Sequence, residues 1–219
     1  MAAPPFLPGT KRARTRDQLL VATQELLVEA STVALGIRQI ATHAGLVHAS
    51  FYNYYDSVES LLEDLANLVF VSHSAVIVRV RENVIDPVTV FAMVTRQTLR
   101  FVTTSPGYGR LLFDVGLPMG PLVAGLRAVI RADVAIGVAM GVFHTDDIDI
   151  AASVVAGALL GVSLDLHRGV LPAAAIEPVT ARMLGGLGVP ADVARPASVA
   201  ETTFLAPPVL PLRWQTVGL

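Results

Sequence analysis

Four aromatic side chains, Phe51, Tyr52, Tyr54 and Tyr55, fall within five positions beside His48, Ser50 and Asn53, in a stretch that carries almost no formal charge. A tyrosine can lay its ring against apolar packing and still aim its hydroxyl at a phosphate. Asparagine and arginine can each make a two-point contact to a base edge. The chemistry such a cluster offers is hydrogen bonding to a polyanion. Bond-making chemistry has little support elsewhere in the chain. There is no cysteine, which excludes disulfides, thiolate metal sites and cysteine nucleophiles. The single lysine, Lys11, lies close to the N-terminus. The five histidines, at positions 43, 48, 73, 144 and 167, lack metal-ligand spacing. No G-x-S-x-G elbow and no glycine-rich phosphate loop after a strand is present. The expectation is therefore no catalytic residue, no metal, no cofactor and no enzyme.

Such a cluster needs rigid elements to present it. Two short helices that meet at a sharp angle require a small residue at the crossing, a glycine in the turn and apolar residues on their facing sides. Ala41 can occupy the crossing, and Gly45 can take the left-handed conformation that turns the chain. Ile40, Ala44, Leu46, Phe51 and Tyr54 are spaced to face a preceding helix. The pattern is a helix-turn-helix, with one helix over 37–44 and a recognition helix over 48–54. The helix before it is read from a T-x-x-Q box at Thr15 and Gln18, with a buried stripe of Leu19, Ala22, Leu26 and Ala30. After Tyr55, the run Asp56-Ser57-Val58-Glu59 reads as another capping box. It opens a long amphipathic segment towards Glu82 that is suited to linking two modules.

These residues carry a resemblance. Ile40-Ala41, Ala44-Gly45, Phe51 through Tyr55 and Leu61-Leu62 match, with correct spacing, the DNA-binding domain of the TetR family of bacterial transcriptional repressors. The likeness covers residues 15–65, about a quarter of the chain. It implies that Tyr52 and Tyr54 contact phosphates and that Tyr55 packs under the long helix. Base contacts would fall to His48, Ala49 and Ser50, with Asn53 and Arg38 in reach. Two positions depart from the family pattern. Val58 stands where a phosphate-gripping lysine is usual, and Val47 stands where a polar cap for the recognition helix is usual. The N-terminal stretch offers a compensation: residues 1–16 hold Lys11, Arg12, Arg14 and Arg16 and no acid, against a chain net charge of -2. Read functionally, this is a basic arm following nucleic acid, with Arg14 and Arg16 in contact; read otherwise, it is a solubilising tail.

Beyond Asp86-Pro87 the pattern is again helical, over about 88–104, 107–116, 121–143 and 146–168, with a last helix opened by Pro178 and stopped by Gly185 and Gly186. No alternating strand pattern appears, so the class is all-α. The division expected is a basic flexible arm 1–14, a helix-turn-helix domain 15–56, a helical effector-binding and dimerisation domain 57–188 and a proline-rich tail 189–219. Gly137-x-x-x-Gly141 and Gly157-x-x-x-Gly161 would let another backbone approach closely, either inside the fold or across a subunit interface. The resemblance favours the interface for 146–168 and 178–188, giving a homodimer. It also implies a pocket for a small apolar or amphipathic effector, with Phe91, Arg96, Arg100, Tyr108, Phe113 and Met140 as candidates. A mean hydropathy of +0.60 raises the question of a membrane. The most apolar run, 150–164, is shorter than the roughly 20 residues a spanning helix needs and is flanked by Asp146, Asp147, Asp149 and Asp165. The expected setting is cytoplasmic, with no membrane partner. The partners are then double-stranded DNA and a small molecule, and the rival is a helical ligand-binding or interaction protein that keeps the helix-turn-helix shape without binding DNA.

Overall fold

The computed structural model describes residues 9–29 and 35–214. Ten α-helices follow in order among them: α1 Lys11–Glu29, α2 Ile37–His43, α3 His48–Phe51, α4 Val58–Val80, α5 Pro87–Thr104, α6 Pro106–Phe113, α7 Met119–Ala139, α8 Ile148–His167, α9 Ile176–Gly186 and α10 Ala191–Val199. A 3-10 turn, Ala173–Ala175, leads into α9. The described residues contain no strand. The chain divides into two compact units. The first comprises Met1–Ala75, Arg110–Leu122 and Pro208–Leu219, and the second Val76–Gly109 and Val123–Pro207.

In the first unit the start of α1 differs from the expected one. Thr10, not Thr15, caps it, accepting the N–H of Ala13 at Oγ1 (3.1 Å). Lys11, Arg12 and Arg14 are therefore helical rather than part of a flexible arm. The buried stripe of α1 is also wider and more polar than the expected one. It includes Leu19, Leu20, Ala22 and Leu27 together with Arg16, Asp17, Thr23 and Gln24, while Leu26 is only half-buried. Ala30 and the arm before Gly9 lie outside the described residues. Helix α2 packs against α1 and α3, with Ile40, Ala41 and Phe51 almost completely buried. Helix α4 is opened by a reciprocal pair in which Ser57 Oγ accepts the Ser60 N–H (3.2 Å) and Ser60 Oγ accepts the Ser57 N–H (3.3 Å). The expected Asp56–Glu59 box is thus displaced by one residue.

In the second unit α5 is the central helix, packed against α8, α9 and α10. Asp86 caps it, accepting the Thr89 N–H at 2.8 Å, and Pro87 fills its first turn, where no N–H is needed. Asp147 caps α8 by accepting from the N–H groups of Asp149 (2.8 Å) and Ile150 (3.0 Å). The two glycine pairs part company. Helix α7 ends at Ala139, so Gly141 is not on the same helix as Gly137; it sits in the turn beyond with φ +71°. Gly137 lies under the ring of Phe143, which in turn stacks edge-on to Phe91 (6.0 Å). Gly157 and Gly161 both lie on α8, exposed, with open space where a side chain would begin.

The expected proline-rich tail 189–219 opens with a helix: α10 forms around Pro196, because burial of Ala194 and Ser198 and packing on α5 and α9 outweigh the one backbone hydrogen bond the proline removes. The apolar run around 150–164 belongs to a 20-residue helix, and α8 and α4 both have the length and apolar composition to cross a bilayer. In α4 that composition coexists with Asp64, ion-paired to Arg16 inside the first unit.

Candidate nucleic-acid interface

Gly45 has φ +69°, the left-handed conformation that lets α3 leave α2 at an angle. The turn is closed by Gly45 N–H to the Thr42 carbonyl (3.0 Å) and Leu46 N–H to the Ala41 carbonyl (2.8 Å). Helix α3 is shorter than expected, four residues, and continues as turns in which the N–H groups of Tyr54 and Tyr55 bond to the Phe51 carbonyl (2.9 and 3.1 Å). Its two faces are opposite in character. Phe51 is fully buried, while His48, Ala49, Tyr52 and Asn53 are exposed and Ser50 is half-buried. Tyr52 is 51% exposed, its ring held edge-on by His48 (5.4 Å) and Phe51 (5.8 Å), so its ring is fixed beside an open surface. Arg38 on α2 and Arg14 on α1 are also exposed. Val47 precedes α3 with no side-chain cap, as its apolar side chain dictates.

The structure separates the tyrosines by environment. Tyr54 is half-buried with the Arg12 guanidinium over its ring (5.8 Å). Arg12 also donates to the Asn53 carbonyl (3.1 Å), tying the N-terminal turn of α1 to the end of the recognition segment. Tyr55 is buried and donates its hydroxyl to Asp64 on α4. Burial, then the neighbouring Asp64 carboxylate, push its pKa well above the usual tyrosine range. Arg16 is a correction. It is 5% exposed and forks onto Asp64, with Nε donating at 2.8 Å, so its charge is spent inside the unit rather than on a phosphate. The cluster of Arg16, Asp64 and Tyr55 was missed from the sequence. The available signal was two charged residues, Arg16 and Asp17, at helical spacing from Leu20 on a stripe that must be buried.

The effector candidates fall in both units. Phe91 and Tyr108 are buried in the second unit, and the Tyr108 hydroxyl is pushed above its usual pKa range by burial. Arg96 donates to the carbonyl of Ala200 (2.7 Å), and both Arg96 and Arg100 stack on the ring of Phe204 (5.1 and 4.2 Å). These guanidinium groups lie against the chain after α10. Met140 is 57% exposed just beyond the end of α7, and Phe113 belongs to the first unit. Among the described residues, no group of three or more His, Asp or Glu side chains could hold a metal ion.

Residues 86–200, more than half of the chain, match the family described as tetracyclin repressor-like, C-terminal domain. The chain belongs to the TetR family. Among curated relatives, an uncharacterized HTH-type transcriptional regulator of Mycobacterium tuberculosis is 26% identical over 132 residues, 60% of this chain and 65% of its own length. The match therefore spans just under two thirds of that relative. Among solved structures, RolR in complex with resorcinol has a TM-score of 0.73 at 26% identity, covering 90% of this chain and 98% of RolR. NalD of Pseudomonas aeruginosa, a secondary repressor of the MexAB-OprM multidrug efflux pump, has a TM-score of 0.62 at 19% identity, covering 80% and 97%. It shares the fold. The N-terminal helix-turn-helix and larger C-terminal helical domain found here match the organisation of TetR-like structures.

Proposed function

We propose that this TetR-family protein is a cytoplasmic transcriptional repressor that binds a palindromic DNA operator as a homodimer and is released by a small apolar or amphipathic effector. One observation carries the reading: α3 buries Phe51 completely and presents His48, Ala49, Tyr52 and Asn53 on its outer face. A recognition helix needs this division, with one side fixed by the core and the other free to enter a major groove. In this reading Tyr52 and Tyr54 contact phosphates, and Arg14 and Arg38 add charge at the edge of the surface. The second unit would take the effector. Resorcinol, the ligand bound by RolR, is a small molecule with an aromatic ring and two hydroxyls and is the first probe to try.

The test is a titration of the purified protein against an inverted repeat from the DNA beside its own coding region, repeated across salt concentrations. Expected are specific binding, a negative slope of log affinity against log salt, and loss of affinity in Asn53→Ala at one base position only. Resorcinol added to the complex should weaken it. Retention on DNA that is absent at every salt concentration would favour the other reading, a helical ligand-binding protein that does not use DNA. The observation behind that rival is specific: Val47 and Val58 both stand where the interface would otherwise carry a polar or cationic side chain.

A further inference from the structure

We propose that the C-terminal segment Leu212–Trp214 is a positioning element of the DNA-binding module, holding α1 in place and, through α1, the recognition helix. The inference rests on the DNA-binding reading above. The contacts of Leu212 and Trp214 all lie within the first unit. Gln24, 2% exposed on α1, uses its amide as a backbone would: Nε2 donates to the Leu212 carbonyl (2.9 Å) and Oε1 accepts the Leu212 N–H (2.7 Å). About two turns earlier, Asp17, 1% exposed, accepts the Trp214 N–H at 3.1 Å. The guanidinium of Arg16 lies over the Trp214 ring at 5.0 Å. Three polar residues on the inner stripe of α1, costly there when unpaired, are therefore met by a segment nearly two hundred residues away in sequence.

The contacts continue to the interface. Arg16, held from one side by Trp214, forks onto Asp64. Asp64 also accepts the Tyr55 hydroxyl, and Tyr55 bonds through its N–H to the Phe51 carbonyl at the end of α3. Trp214, Arg16, Asp64 and Tyr55 thus form one physically continuous chain of contacts ending on the recognition helix. The preceding part of the segment is fastened in the same manner inside the second unit. Gln97 on α5, fully buried, pairs its amide with Leu205, donating to the carbonyl (2.9 Å) and accepting the N–H (2.8 Å).

The test uses the full chain with Trp214→Ala and Trp214→Phe. Amide hydrogen exchange without DNA is one readout and the ratio of affinities for operator and unrelated duplex is the other. In Trp214→Ala, exchange at residues 48–55 should accelerate about tenfold, equivalent to about 1.4 kcal/mol, while α8 and α9 keep their protection. Operator affinity should fall by a similar factor, with affinity for the unrelated duplex unchanged. Trp214→Phe, which keeps an aromatic face under Arg16, should restore both. Unchanged exchange at 48–55, or acceleration that is equal in α8 and α9, overturns the proposal. If the wild-type protein binds no duplex at all, the DNA-binding reading falls, and the exchange measurement alone decides whether Trp214 positions α3.

Discussion

Val58 opens α4 half-exposed, at the position where the family resemblance expects a cation on a phosphate. Replacing it with arginine adds a donor to the edge of the proposed interface without disturbing the core, so Val58→Arg should tighten operator binding and steepen the salt dependence by about one unit. Unchanged or weaker affinity in a salt titration would remove that placement. His73 on α4 gives a second residue-level prediction, independent of DNA. Burial disfavours its charged form and lowers its pKa to about 4, against about 6.5 in an unfolded chain. The folded protein therefore binds fewer protons than the unfolded one between those values. Stability from this group is fully present above about pH 6.5 and is lost as the pH falls towards 4. A series of urea unfolding curves should show that slope, and His73→Gln should flatten it by an amount on the order of 1–3 kcal/mol across the window. Equal slopes in both proteins would show that His73 does not set it.

The helices themselves show what a sequence can and cannot disclose. The turn at Gly45, the placement of Ile40 and Phe51 and the span of α5 and α8 were legible because each is a local requirement: a left-handed turn or an apolar period. Helix α10 was not, because Pro196 argues locally against a helix and only packing on α5 and α9 reverses it. The roles of Arg16, Arg96 and Arg100 were hidden for the same reason. An arginine reads as surface until its partner, here Asp64 or Phe204, is brought to it from 48 or about a hundred positions away. Gly137 is the element whose role the sequence left open and the structure decides. A methyl group there would overlap the ring of Phe143, which is itself 2% exposed and packed on Phe91. Gly137→Ala should destabilise the protein by about 1–3 kcal/mol despite the better helix propensity of alanine. A thermal melt at or above the wild-type midpoint would show that the ring can move aside.

For the whole molecule, the exposed face of α8 is the decisive surface. Only 28% of its most apolar window is buried, and Ile150, Val154, Gly157, Ala158 and Gly161 lie exposed at spacings of three and four, one apolar stripe along the helix. A stripe of this kind, with glycines that allow close backbone approach, suits a self-complementary contact with a second copy, as a two-fold operator requires. Gly157 allows the contact to be tested without confusing it with folding. Since a side chain at this position would meet nothing within its own chain, Gly157→Gln should leave the protomer intact and even gain about 0.5 kcal/mol of helix propensity. In a pair of chains packed through this face, the same side chain would hold the helices apart. Sedimentation at micromolar concentration should therefore give a dimer for the wild type and a monomer for Gly157→Gln, with the helical circular dichroism of the two proteins alike. Operator affinity should fall by far more than any single contact explains, because one half-site is then read without the other. A wild-type protein that sediments as a monomer, or a Gly157→Gln variant that remains dimeric with full operator affinity, would place the subunit contact elsewhere and leave the apolar face of α8 without this role.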